Sequence, residues 1–264
     1  MPNVQSFSTL RARSYVVRLP LFTRAIIVII VASWLASLQS MWNLKTWGAL
    51  IPNEIGITTM YRINTFPLIH LNFFHAFVNI LAITPLLERF ETEFGTLTSL
   101  ALFFGPLTTI PAFAYVFLER FIFMMNTAVM GASIWVFLLL GMEAVRTYKT
   151  NPYLTIATYN IPTWTTPLAM VLVIEALMPS TSFFGHLCGV GTGYLFGLGY
   201  LKFIAPPEKA LRWVEGRLNL LGRLPHYVSV DQKTYGRFGV LPTSNSASGT
   251  PAVSLMGTTQ RLGP

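Results

Sequence analysis

The chain has 264 residues, of which 53% are hydrophobic and only 11% charged, against roughly 25% charged in ordinary soluble domains. Its 18 Lys+Arg and 10 Asp+Glu leave a net charge of +8, yet too little polar sequence exists to carry that charge as a nucleic-acid-binding surface. The one cysteine, Cys188, excludes an internal disulfide and any multi-cysteine metal site.

Residues 1–24 hold Arg11, Arg13, Arg18 and Arg24 and no acid, which predicts a basic cytosolic segment. The same pattern describes a mitochondrial transit peptide, while the lack of a small-residue cleavage site argues against a cleaved secretory signal. Beyond it, charged residues are missing from six stretches of 20 to 26 residues. These lie between Arg24 and Lys45, Arg62 and Glu88, Glu93 and Glu119, Arg120 and Glu143, Lys149 and Glu175, and Glu175 and Lys202. About 20 apolar residues let a helix cross ~30 Å of hydrocarbon, where every backbone polar group must be bonded internally. The reading is an all-α polytopic membrane protein, a six-helix bundle within residues 25–205. Its spans fall near 25–42, 64–86, 95–117, 122–142, 161–179 and 182–203, the fifth interrupted by Pro162, Pro167 and Glu175.

Six spans put both termini on one side, and their basic flanks assign that side to the cytosol. Residues 43–62, with Trp47, Leu50 and Ile51, are expected to lie in the lumenal interface. Residues 206–264 form a cytosolic tail, read as a short helix followed by disorder. Leu211, Val214, Leu218 and Leu221 recur at helical spacing with Lys209, Arg212 and Arg217 off that stripe. Both a basic amphipathic helix on the membrane surface and a solvated helix fit. Residues 243–259, rich in Ser, Thr, Gly and Ala, predict disorder.

Polar side chains inside spans are costly and default to functional candidates. Asn72, His75 and Asn79 share one face of the second helix. Ser133 stands in Gly131-Ala132-Ser133 on the fourth, and His186 on the sixth beside Gly185, Gly189, Gly193 and Gly197. These three helices run in one direction. With His75 and Ser133 about eleven residues into their helices and His186 about four, all lie roughly 5–18 Å below the lumenal surface. The glycine ladder admits a close neighbour; if that neighbour carries Gly131, hydroxyl and imidazole come within hydrogen-bond reach. His186 would then activate Ser133 as a nucleophile, with the Ser133 N–H, His75 and Asn79 as oxyanion donors. No carboxylate is in place to orient His186, so the arrangement is a dyad. Singly, each feature is ordinary: a serine bonded to its own helix, packing glycines, an interhelical histidine–asparagine bond. Their coincidence in one leaflet carries the reading.

These motifs resemble those of the rhomboid intramembrane serine proteases. His70, His75 and Asn79 match the spacing of the family's second-helix motif, and Tyr61-Arg62 resembles its aromatic–arginine pair, with Tyr for the usual Trp. Gly131-Ala132-Ser133-Ile134 resembles Gly-x-Ser-Gly, and Gly185-His186 followed by Gly189 and Gly193 resembles the last helix. The tail stretch 227–242 is similar to that of fungal Golgi-type rhomboids. The resemblance implies a six-helix rhomboid-like bundle with Ser133 and His186 catalytic and His75 and Asn79 at the oxyanion. It makes His70 and Arg62 structural, and puts Phe137 where a tyrosine usually stacks on the catalytic histidine. It implies cleavage of single-pass membrane proteins, membrane-bound transcription factors among them, with no cofactor and no metal. The Golgi membrane is the implied location, the endoplasmic reticulum and mitochondrial inner membrane being alternatives. It further implies an AAA-type ATPase partner for the tail, through residues 236–241. Ile134, replacing the usual glycine, is expected to set a β-branched side chain beside the oxyanion.

A catalytically impaired protein that binds and escorts membrane clients is the competing reading. A transporter or channel would need a polar path, which the cytosolic half of the bundle lacks. Aspartyl membrane proteases need two intramembrane aspartates, and the only aspartate is Asp231. Metalloproteases of the His-Glu-x-x-His type are excluded because that motif is absent.

Overall fold

The computed structural model describes residues 9–156, 158–179 and 181–234. Its helices are α1 (Thr9–Arg18), α2 (Leu21–Ala36), α3 (Leu44–Gly48), α4 (Arg62–Thr65), α5 (Phe73–Phe94), α6 (Thr96–Phe103), α7 (Pro106–Phe117) and α8 (Ser133–Thr150). An antiparallel hairpin of β1 (Tyr153–Ile156) and β2 (Tyr159–Pro162) follows, then α9 (Thr166–Leu177), α10 (Phe183–Leu198), α11 (Glu208–Leu218) and α12 (Leu220–Arg223). Trp135, Tyr115, Phe66, Phe90 and Phe103 are fully buried in one hydrophobic core. The outside is just as apolar: Phe73, Phe74, Phe77 and Leu81 of α5 and Leu172, Val173 and Leu177 of α9 are exposed. So continuous an apolar exterior suits lipid rather than water.

Among the described residues two segments, Phe73–Phe94 and Thr96–Ile122, are long and apolar enough to cross a membrane. A third qualifies only if α10 is joined to residues 202–218, from which it is bent by 89°. Leu21–Ala36 and Thr163–Leu177 are apolar but shorter, and α8 carries Glu143, Arg146 and Lys149 in its second half.

Several boundaries differ from those predicted. The second helix starts at Phe73, not near 64, and runs through the predicted 86–94 loop to Phe94. Glu91 is the reason. It is fully buried and accepts from the N–H groups of Phe22 and Thr23 (2.8 Å each), the Thr23 hydroxyl (2.9 Å) and the Thr96 hydroxyl (2.7 Å). It thereby caps α2, whose own N-cap residue, Pro20, makes no side-chain bond. The fourth helix was placed at 122–142, but residues 123–132 are not helical and α8 runs from Ser133 to Thr150. Apolar loop and apolar helix look alike in hydropathy, since backbone buried in protein can take its bonds from neighbouring segments. Here Val129 exchanges both backbone bonds with Leu50 at 2.9 Å. The hairpin also corrects the all-α expectation: residues 153–162 are rich in aromatic and β-branched types that favour strands.

Within residues 43–62, Arg62 is buried, donates to the Ala49 carbonyl (3.1 Å) and pairs with Glu54 (3.0 Å), while Tyr61 stacks on Trp47 at 4.8 Å. These contacts fold the segment on itself.

The tail after α12 is not free. Residues 226–234 return as a strap under α2, α5 and α6: the Leu21 N–H donates to the His226 carbonyl (3.0 Å), Thr96 to Val228 (2.9 Å) and Thr234 to Thr92 (3.2 Å). Gly95, at φ +91°, makes the turn between α5 and α6; an added Cβ there would stand 3.3 Å from the Val228 carbonyl oxygen. Leu211 of α11 is buried and Leu218 exposed, so the leucine stripe is only partly covered, and Trp213 projects outward. Glu215 accepts from the Tyr227 hydroxyl (2.8 Å) and the Val230 N–H (2.9 Å). The disorder expected at 243–259 and the partner segment at 236–241 lie outside the described residues.

Candidate active site

The approach to Ser133 is set by backbone. Gly131 has φ +116°, a left-handed conformation that favours glycine, and an added Cβ would fall 2.7 Å from His75 Cε1. Its N–H donates to the Phe66 carbonyl (2.8 Å), and the Ala132 N–H donates to His70 Nε2 (3.2 Å). His70 is almost fully buried, its ring edge-on to His75 at 5.2 Å. This turn delivers Ser133 as the first residue of α8, so its N–H has no acceptor within its own helix.

The opposite wall is the first turn of α10. Ser182 caps that helix, its Oγ accepting from the Gly185 N–H and its carbonyl from the His186 N–H, both at 3.1 Å. His186 Nε2 lies 3.0 Å from Ser133 Oγ. The imidazole packs on Phe137 with centroids 4.4 Å apart and planes at 37°. Its Nδ1 is buried and has no hydrogen-bond partner among the described residues. Glycines hold α10 against α8: an added Cβ at Gly189 or Gly197 would come within 2.7 Å of an α8 backbone carbonyl oxygen. Gly185 does not share that contact; it faces Ser182 and Val129.

His75 stands in the first turn of α5, capped by Asn72 Oδ1, which accepts its N–H at 2.8 Å. His75 Nδ1 accepts from the Leu71 N–H at 3.4 Å, assigning the ring proton to Nε2. That Nε2 is buried and unpartnered among the described residues. Asn79 Nδ2 donates to the His75 carbonyl at 2.8 Å, leaving its second amide hydrogen free of that bond. Ser133, His186, His75 and Asn79 all line one cavity of about 320 Å³, whose other walls are apolar side chains of α5, α8 and α9 such as Val78, Leu86, Leu140 and Met170.

Two expectations are corrected here. His75 and Ser133 are third and first in their helices, not about eleven residues in; the non-helical segments 69–72 and 123–132 carry them to the level of His186. The site therefore lies where three helices begin, each contributing partial positive charge and unpaired N–H groups toward an anion. Ile134, for its part, does not line the cavity. It is buried between α8 and α10, its Cγ1 against Gly189. The capping role of Ser182 is a feature the sequence reading passed over, although a serine just ahead of an apolar run is a helix-start signal. Among the described residues no group of three His, Cys, Asp or Glu could hold a metal ion.

Comparison with known proteins bears on this arrangement. The Rhomboid domain family model matches residues 58–203, more than half of the chain. The chain belongs to the rhomboid family. As a rhomboid it is 66% identical, over 100% of its length and 99% of the relative, to Rhomboid-type serine protease 2 of Gibberella zeae. It is 68% identical to the protein of the same name in Neurospora crassa, covering 98% of this chain and 95% of that one. Rhomboid-type serine protease B of Aspergillus fumigatus is 62% identical, with 98% and 96% covered. The matched domain holds every residue placed around the cavity.

Proposed function

We propose that this rhomboid is an intramembrane serine protease in which Ser133 and His186 act as a dyad. The 3.0 Å approach of His186 Nε2 to Ser133 Oγ, in a cavity walled by apolar side chains, is the observation that carries the reading. In the reaction His186 takes the hydroxyl proton as Ser133 Oγ bonds to the scissile carbonyl carbon. The developing oxyanion meets the Ser133 N–H, the His75 Nε2–H and the Asn79 amide. His186 returns the proton to the leaving amine as the C–N bond breaks. Water, deprotonated by the same imidazole, then releases the acyl group and restores the hydroxyl. Phe137 supports the ring, and no cofactor enters.

In this reading α2, α5, α6 with α7, α8, α9 and α10 are the six spans, and the basic segments at both ends face the cytosol. Substrates are single-pass membrane proteins, reached through lipid, because the cavity walls favour an apolar segment. Membrane-bound transcription factors in the Golgi membrane are the proposed clients and place, on the likeness to fungal Golgi-type rhomboids.

The test is cleavage of a single-pass reporter by protein reconstituted in lipid. Ser133→Ala and His186→Ala should each abolish cleavage with expression and thermal stability retained. A fluorophosphonate probe should label Ser133 in the unaltered protein. A reporter that is bound but not cleaved, with Ser133 left unlabelled by the probe, would replace this reading with that of a client escort.

A further inference from the structure

α7 carries neither reacting group, yet its last turn and the π turn that follows it hold the loop that delivers one of them. Tyr115, fully buried, donates its hydroxyl to the Thr127 carbonyl at 2.8 Å. Glu119, 2% exposed, accepts the Thr127 N–H through Oε2 at 3.1 Å, and its own carbonyl accepts the Met125 N–H at 2.7 Å. Both backbone groups of Thr127 are thus held, the carbonyl by α7 and the N–H by the π turn that follows it. Thr127 belongs to the 123–132 segment that ends in the Gly131 turn and delivers Ser133.

The loop that these residues hold packs on the other arm. Phe123 stacks on Phe184 of α10 with ring centroids 4.3 Å apart, and a Cβ added at Gly185 would stand 3.3 Å from Val129 Cγ2. Ser182 is the cap of α10, and its carbonyl holds the His186 N–H. The loop that delivers the nucleophile is therefore held by Tyr115 and Glu119 on one side and packs against the helix start that presents the imidazole on the other. Glu119 lies in a π turn, Leu118–Ile122; such turns interrupt a helix at a strain cost and recur at functional sites. A buried carboxylate is costly unless it is hydrogen-bonded, and here its bonds are spent on the loop rather than on a counter-ion within α7.

Resting on the protease reading above, we propose that Tyr115 and Glu119 are positioning residues that fix Ser133 relative to His186. Neither touches the reacting atoms. They act by holding Thr127, and hence the loop that sets the distance between Oγ and Nε2, on which the rate depends steeply: a misplacement of about 1 Å can lower it about a hundredfold.

The experiment uses the full chain in lipid nanodiscs, with reporter cleavage expressed per site titrated by fluorophosphonate and the thermal midpoint measured alongside. Tyr115→Phe should lower the per-site kcat by about ten- to a hundredfold with KM little changed. Glu119→Gln, whose amide oxygen still accepts from Thr127, should stay within about threefold of the unaltered protein, whereas Glu119→Leu should fall with Tyr115→Phe. Unchanged per-site rates in Tyr115→Phe and Glu119→Leu, with only the titratable fraction or the midpoint reduced, would make both residues mere loop anchors and overturn the proposal. If Tyr115→Phe gives no titratable protein, the Glu119 pair decides: equal per-site rates in Gln and Leu variants overturn it. Should the unaltered protein neither cleave nor label, the protease reading fails and takes this one with it; activity there with unaffected variants sinks this one alone.

Discussion

Gly193 of α10 lies so close to α8 that an added Cβ would come 2.0 Å from the Leu138 carbonyl oxygen and 2.9 Å from the Met142 nitrogen. Both neighbours are backbone, so neither can swing aside. That approach sets the spacing of the two helices whose first residues bring Ser133 and His186 together. Gly193→Ala should lower stability by about 1–3 kcal/mol, as overpacking does, and reduce per-site activity as well. Gly191, with nothing within 4 Å of an added Cβ, supplies the control. Gly191→Ala should be neutral or raise the midpoint slightly, alanine being the better helix former by about 1 kcal/mol. Equal shifts for the two variants, read by thermal denaturation in detergent, would dismiss the ladder as a spacer.

Ile134 is buried between α8 and α10 with its side chain on Gly189. Restoring the glycine usual in the family at this position, Ile134→Gly, should therefore destabilise by about 2–5 kcal/mol through lost burial and bring no gain in per-site rate. A faster variant of unchanged stability would show that the isoleucine obstructs the site.

Asn79 spends one amide hydrogen on the His75 carbonyl. If the other meets the oxyanion, Asn79→Ala should cut kcat by about 10–10³-fold and leave KM nearly constant. Single-turnover cleavage of the reporter measures this; a loss under about twofold removes Asn79 from the donor set.

Glu215 holds the strap through Tyr227 and Val230. Glu215→Ala strands both donors, at about 1–3 kcal/mol for each buried group left unbonded, so residues 226–234 should gain rapid hydrogen exchange and protease sensitivity while the helices above keep theirs. Protection retained at Val230 would refute the hub.

Glu208 adds a pH dependence to the same strap. Its carboxyl is held below the usual range, first by the hydrogen bond and charge of Lys233 and then by Arg212. A lowered folded pKa means that this contribution is complete above the unfolded value of about 4.3 and is lost as pH falls through the lower folded one. The Val230 amide, corrected for intrinsic exchange, should hold its protection from neutral pH to about pH 4 and lose part of it below. Glu208→Gln should show that partial loss already at neutral pH, and a flat profile in both proteins would exclude the carboxylate.

Much of the site was legible because its residues recur at helical spacing: His75 with Asn79 on α5, and the glycines of α10. The helix starts were not. Residues 123–132 are as apolar as a helix, and only the partners of their backbone, Leu50, Phe66, His70 and Glu119, distinguish a pinned loop from a span. Those partners are distant in sequence, and no local pattern announces them. The cap on α2 is hidden for the same reason, since Glu91 stands among other charges and only its distant donors, Phe22 and Thr23, set it apart. The strap was invisible because its partners, Leu21, Thr92, Thr96 and Glu215, are scattered along the chain and no local pattern pairs them with residues 226–234.

The carboxylate that caps α2 has a further bearing on how the chain is made. The Thr23 amide finds its acceptor 68 positions later, so the ribosome has synthesised the whole of α3, α4 and most of α5 before α2 can close its first turn. Through that interval the first turn of α2 lacks this acceptor. The arrival of Glu91 is what ties α2 to α5, and it does so at the end of α5 opposite to the one that bears His75.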